Sequence, residues 1–322
     1  MNAANLNGIN WFRENSHAFA GRLSFEDPLA KHTYYRIGGK ASVLAIPTSV
    51  LDLQWLAEGI KKTGIPFFIL GQGSNVLVSD EGFPGLIIKL SRLSLVIEVM
   101  EVGESNRSKS RIRTGSSVAI STLLRRAAHE GWKGLEFLTG IPGSVGGAIV
   151  MNAGTHLGET VSRVRRVEAY SLLNSALEVF ENEQLQFGYR THLFLEKGSV
   201  VHLVEWEIEK VAPLEVKALI DQTLARRKAS QPIDFPSCGS VFKNPKSSGL
   251  SAWQVIDKLG LRGFQVGQAQ FAEKHSNFIL NLGNATASDV RALIELAKKR
   301  AFQELGILLE EEVLYVGDFT LG

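Results

Sequence analysis

Between positions 139 and 154 the chain reads Thr139-Gly-Ile-Pro-Gly-Ser-Val-Gly-Gly-Ala-Ile-Val-Met-Asn-Ala-Gly154, with glycine at 140, 143, 146, 147 and 154. There are 31 glycines in 322 residues, so a window of this length should hold roughly one or two. Glycine at such density lets the backbone take positive φ and approach a ligand with no Cβ in the way. Amides exposed in this manner form a cradle for an anion such as a pyrophosphate. Taken alone, the run reads equally as a long loop punctuated by turns.

A second glycine-rich segment shifts that balance. Pro66-Phe-Phe-Ile-Leu70 reads as a buried strand, and Gly71-Gln-Gly-Ser-Asn75 follows directly, where α/β folds place phosphate ligands. The third glycine of a dinucleotide fingerprint is missing, since Val76 stands there and a strand follows instead of a helix. The two segments together point to a two-loop cradle for a dinucleotide in another fold. Gly38-Gly39-Lys40-Ala41 lacks the spacing of a Walker loop, and Pro142 removes the first glycine of a nucleophile elbow.

Composition narrows the function classes. A length of 322 residues allows two or three domains, and 35 basic against 33 acidic residues leave no basic domain suited to nucleic acid. The one cysteine, Cys238, excludes an internal disulfide framework and fits a reducing compartment. Seven scattered histidines offer no zinc-ligand spacing. No apolar run approaches membrane-spanning length, and Met1–Gly8 lacks a secretory pattern, so a cytoplasmic location is expected.

Along the chain, an N-terminal amphipathic helix (Trp11, Phe12, Phe19) is followed by a strand over 41–47. A helix capped by Thr48 or Ser49 and closed by Gly64 comes next, then the strand at 66–70, so that 41–70 forms a βαβ-like unit. Strands are expected at 76–78 and 86–90. A hairpin over 91–113 carries a polar, mobile tip at 103–110, and a helix runs from Ser117 to Gly131. Strands near 164–170, 176–180 and 200–209 precede a helix at 214–229, with which a separate αβ domain begins. That domain holds a helix near 251–259, a strand at 278–280 and a helix opened by a Thr286–Asp289 capping box and closed by Gly306. The last strand, 307–316, alternates so that at least one of Glu310, Glu311 and Glu312 is held among apolar neighbours if both faces are covered. The acidic run 310–312 and the basic run 226–228 otherwise default to solvated faces.

Several of these motifs stand together in one known order. Tyr35-Arg-Ile-Gly-Gly39, Leu70-Gly-Gln-Gly-Ser-Asn75, Gly140-Ile-Pro-Gly-Ser-Val-Gly-Gly147, Gly188-Tyr-Arg190, Gly239-Ser-Val-Phe-Lys-Asn-Pro245 and Glu312 resemble the UDP-N-acetylenolpyruvoylglucosamine reductase family over about residues 30–318. The resemblance implies an α+β fold: a two-part FAD-binding region of the vanillyl-alcohol oxidase (PCMH) type plus a C-terminal αβ substrate-binding domain. It divides the chain into 1–90 and 91–210 as FAD-binding subdomains, 211–306 as the substrate-binding domain and 307–322 as a C-terminal strand returning to the active site. It further implies NADPH-dependent reduction of the enolpyruvyl nucleotide sugar through non-covalent FAD, in peptidoglycan precursor synthesis. Its partners are then small molecules, with no nucleic acid, membrane or obligatory protein partner. Fifty residues separate Arg190 from Ser240, too few for the extra tyrosine loop of one subclass, so the shorter subtype is implied.

Site residues follow from the same resemblance. Arg190, Ser240 (the proton donor) and Glu312 would be catalytic. FAD would be held by Arg36, Gly38, Gly71, Gln72, Gly73, Ser74, Asn75, Gly115, Thr139, Gly140, Ile141, Pro142, Gly143, Ser144, Gly146, Gly147, Ala148, Asn152 and Gly154. Lys228, twelve residues before Ser240, would contact substrate, with Asn244 and His275. Trp253 stands where the family usually has glycine. Two other readings remain at this point: a flavin oxidase of the same fold, and a non-catalytic nucleotide-sugar binding protein.

Overall fold

The computed structural model describes residues 3–100, 109–155, 157–246 and 249–319. They form two compact units, each drawn from several stretches of chain: 1–24, 43–72 and 85–227 in one, and 25–42, 73–84 and 228–322 in the other.

The first unit is built on a six-stranded sheet in which Ser199–Lys210 pairs antiparallel with Val164–Ser171 on one side and Lys109–Gly115 on the other. Ala176–Glu181 and Ile97–Met100 flank these, and Trp132–Lys133 also pairs with Ser199–Lys210. Alternation sorts the two faces. Ile112, Val167, Val204, Trp206 and Ile208 turn inward against Leu123, Leu124 and Ala127 of helix Ile120–Glu130 and Val145 and Ile149 of helix Val145–Val150. The opposite face carries a charge ladder in which Arg113 and Arg166 both donate to Glu205, at 2.9 and 3.1 Å. Helix Ala3–Glu14 packs on helix Val50–Thr63 through Trp11, Phe12 and Trp55, and Gly59 leaves room for the rings of Trp11 and Phe12.

The second unit packs helices Ala252–Lys258 and Ala287–Leu305 and a three-stranded antiparallel sheet (Gln265–Val266, Ala269–Phe271, Ile279–Asn281) around one core. Tyr35, Leu77, Val241, Phe242, Phe271, Ile279, Leu293 and Ile294 fill it. A short parallel pair, Val76–Val78 with Leu314–Val316, closes the unit.

Most expected elements form where the sequence puts them, down to Ser49 accepting from the Asp52 amide, Gly64 and Gly306 in the left-handed region, and the Thr286–Asp289 box. Four differ. Strand Phe83–Lys89 stands between Lys40–Ile46 and Phe67–Leu70 in a separate four-stranded sheet, so 41–70 is no adjacent βαβ unit. The helix expected from Ser117 starts at Ile120, while the Ser117 hydroxyl accepts from the Leu93 amide. Within the glycine-rich stretch, 145–150 is helical. Burial of Val145, Ala148 and Ile149 on one face outweighs the poor propensity of Gly146 and Gly147, and Ser144 caps the turn. Of 307–316, only Leu314–Val316 is strand, because the segment changes partners. Glu310 and Glu312 exchange backbone hydrogen bonds with 241–243, after which Leu314 donates to Asn75. Residues 103–108 of the hairpin tip lie outside the described residues.

Candidate active site

In the first unit the two glycine-rich segments meet. Strand Phe67–Leu70, parallel to Phe83–Lys89, delivers Gly71 at its carboxyl end, where an added Cβ would sit 3.5 Å from Ser144 Oγ. Gly140 and Gly143 take φ of 74° and 128°, a region that strains any residue with a side chain. Among the described residues, no acceptor in the chain takes the amide of either one. Val145 and Gly146 donate to the carbonyls of Val118 and Ser116, which anchors the stretch to the segment before helix Ile120–Glu130. Gly146 lies so close to Ser116 that a Cβ would come within 3.0 Å of its Cβ. Two hydroxyls at this place, Ser116 Oγ and Thr139 Oγ1, are buried without a hydrogen-bond partner among the described residues. Buried polar atoms are normally satisfied, so these two hydroxyls suit a polar ligand. Ile141, Pro142, Gly147 and Ala148 belong to the same turn and helix. Gly115 and Gly154 serve the chain itself, passing the Ser94 and Gly158 carbonyls at 2.3 and 2.5 Å from where a Cβ would be.

Arg190 is carried to the end of this stretch by a hairpin, Phe187–Gly188 with Thr191–His192. It sits in the left-handed region at φ 58°. Its Nη2 donates to the Gly154 carbonyl at 3.2 Å, and His192 Nδ1 donates to the Val150 carbonyl at 2.7 Å. Asn152, buried and at φ 39°, braces the hairpin by donating to the Gly188 carbonyl at 3.0 Å. His156 lies outside the described residues.

In the second unit, Ser240 and Glu312 are neighbours through the backbone. The Glu312 amide donates to the Val241 carbonyl at 2.8 Å, and Asn75 Nδ2 donates to the Glu312 carbonyl at 2.9 Å. Buried Asn277 fixes the Ser240 loop from the other side: its Oδ1 accepts from the Phe242 amide at 3.0 Å and its Nδ2 donates to the Phe242 carbonyl at 2.9 Å. Nothing in the sequence marked Asn277. Glu310 and Glu311 are paired with Lys243 and Lys298. The Glu312 charge acts on the buried Cys238 thiol. Burial pushes that thiol up to about 12, with the Glu312 charge adding to the effect and the Tyr35 hydroxyl opposing it.

Gly38, at φ 130°, packs on Val78, Gly73, at φ 72°, passes the His32 carbonyl, and Arg36 takes φ 56°. Asn244 Oδ1 accepts from the Ala252 amide at 3.0 Å, at the start of helix Ala252–Lys258. Exposed Lys228 gives its carbonyl to Lys274 Nζ. His275 packs edge-on against Phe278, with exposed Trp253 beyond it at 6.5 Å. One residue that sequence reasoning passed over is Arg227, whose side chain lies against Gly140. In a basic run it looked solvated.

Residues 41–173 match the FAD-binding domain family, and residues 231–316 match the C-terminal domain of UDP-N-acetylenolpyruvoylglucosamine reductase. Proteins of that name from Heliobacterium modesticaldum and Trichlorobacter lovleyi are 38% and 40% identical to this chain, over 93% and 92% of it and 92% and 93% of their own lengths. The chain belongs to the UDP-N-acetylenolpyruvoylglucosamine reductase family. The crystal structure of the Thermus caldophilus reductase is similar at a TM-score of 0.74 and 33% identity, covering 92% of this chain and 98% of that one. As a member of this reductase family the chain is an oxidoreductase. Its two units and mixed α+β content agree with an FAD-binding region joined to the reductase C-terminal domain.

Proposed function

We propose that this protein reduces the enolpyruvyl ether of UDP-N-acetylglucosamine enolpyruvate to the lactyl ether of UDP-N-acetylmuramate, with NADPH as reductant, in cytoplasmic peptidoglycan precursor synthesis. The observation that carries this reading is the meeting of Gly71 with the turn at 139–147, where two buried hydroxyls have no partner among the described residues. Such a cradle fits FAD: the amides of Gly140 and Gly143 and the hydroxyls of Ser116 and Thr139 suit phosphate oxygens. FAD, when bound, accepts a hydride from NADPH and supplies one to the substrate.

The chain's own residues manage charge and a proton. Hydride arrival at the enolpyruvyl group leaves an enolate-like carboxylate, and the planar fork of Arg190 suits its two oxygens. Stabilisation of developing charge in a water-excluded site is worth several kcal/mol. Ser240 Oγ holds the proton for the adjacent carbon, and Asn277 fixes the loop that carries it. Glu312 is tied into that loop through Val241. Lys228, Asn244 and His275 serve the nucleotide sugar.

The test separates the two half-reactions. In Ser240→Ala, bleaching of the flavin by NADPH should stay within about twofold of wild type, while reoxidation by the enolpyruvyl substrate slows by at least about a hundredfold. An equal fall in both would remove Ser240 from proton delivery.

A further inference from the structure

Arg227 contrasts with several arginines of its unit. Arg113, Arg163, Arg165 and Arg166 each meet a carboxylate, at 2.9, 3.2, 3.0 and 3.1 Å. Arg227 meets none: among the described residues no ion pair or hydrogen bond engages its side chain, and its Nε is buried without a partner. Its stem crosses Gly140, where a Cβ would stand 2.7 Å from both Cδ and Nε. Burial, and then the charge of Arg190, hold the Arg227 guanidinium below its ordinary value.

A guanidinium stays protonated in proteins, so it cannot relieve this situation by losing its proton. Leaving a charge partly buried and unpaired costs free energy, and a second guanidinium nearby adds repulsion. A fold keeps an unpaired guanidinium near another cation where something negative comes to it. Gly140 is one of the two turn glycines whose amides have no acceptor among the described residues, so the same place also offers unused N–H groups. Missing Cβ, unused amide, buried Nε and second cation all point to one ligand chemistry, a delocalised oxyanion that a planar fork can grip.

We infer that Arg227 is a second guanidinium of the active site, holding an oxyanion of a bound ligand jointly with Arg190 beside Gly140. This rests on the reductase reading and adds a recognition residue to it. Two sources share the chemistry, a phosphate of FAD and the carboxylate of the enolpyruvyl substrate, and they separate by measurement.

Wild type, Arg227→Gln and Arg227→Lys are compared, first stripped of FAD and then reloaded. Ligand-free melting of both variants should be no lower than wild type, because the glutamine removes an unpaired charge and the lysine a poorly accommodated fork. Affinity is then read from quenching of FAD fluorescence on binding, and from the flavin absorbance shift when the enolpyruvyl nucleotide sugar joins the oxidised holoenzyme. Arg227→Gln should raise one of these two dissociation constants by about tenfold or more, with partial recovery in Arg227→Lys. A rise in the FAD constant identifies the phosphate, and a rise in the nucleotide-sugar constant identifies the carboxylate. Both constants within about threefold of wild type would overturn the proposal. So would a clear drop in ligand-free melting of both variants, which assigns Arg227 to packing. If wild type itself takes up neither FAD nor the nucleotide sugar, the reductase reading fails as well, an outcome distinct from a failure confined to Arg227.

Discussion

Asn152 is almost wholly buried, sits at φ 39° and places both side-chain N–H donors and its carbonyl oxygen on partners inside the chain. Its Nδ2 donates to Glu159 Oε2 and to the Gly188 carbonyl, and its Oδ1 accepts from the Val161 amide at 3.1 Å. Asn152→Ala should therefore cost about 2–3 kcal/mol in urea denaturation, since three partners are left unsatisfied, and should weaken the hold on the Arg190 hairpin. A second prediction concerns Cys238. Its thiol is pushed up to about 12 in the fold, so the native state keeps a proton that the unfolded chain sheds near pH 9. More protons bound in the native state means stability falls as pH rises through that window, by about 1.4 kcal/mol per unit. Urea midpoints measured from pH 8 to 10 should show this fall in wild type and a flatter profile in Cys238→Ala; matching profiles would contradict the burial account. Legibility at this scale divided by residue type. Arg190 and Ser240 stood out only in their motifs, while Arg227 and Asn277 gave no signal, because a basic run and a lone asparagine look alike on a surface and in a site.

Helix Ala287–Leu305 is capped both by its own neighbours in sequence and by a distant residue. Its capping box and closing Gly306 were legible, because both depend on residues a few positions apart. The further cap was not: Asp80, more than two hundred positions earlier, accepts from the Ala287 and Ser288 amides at 2.7 and 3.0 Å. Asp80→Ala should cost about 1–2 kcal/mol, with Asp80→Asn recovering part of it, as read by urea denaturation. No effect would mean that the Thr286–Asp289 box suffices alone. The same division explains the misplaced elements. Which strand lies beside Lys40–Ile46, and where 310–316 changes partner from 241–243 to 75–78, are set by distant chain. Period-2 alternation over 307–316 was present, but alternation does not reveal a partner.

At the scale of the molecule, each unit is assembled from three separated stretches, so no cut of the sequence into consecutive blocks reproduces them. The two glycine-rich segments were legible as a pair, and they do meet at Gly71 and Ser144. A ligand that binds only the folded cradle stabilises it by linkage, by about 2.7 kcal/mol at a hundredfold excess over its dissociation constant. Calorimetric melting of flavin-stripped protein should accordingly rise with added FAD and stay unmoved by riboflavin, which lacks phosphate. The claim on which the rest depends is that the cradled flavin carries reducing equivalents to an enolpyruvyl nucleotide sugar. The most direct measurement reduces the holoenzyme with NADPH under strict anaerobiosis until its yellow colour is lost, then adds UDP-N-acetylglucosamine enolpyruvate. The account predicts rapid return of the oxidised flavin absorbance with formation of UDP-N-acetylmuramate; flavin that stays bleached until oxygen is admitted would contradict it.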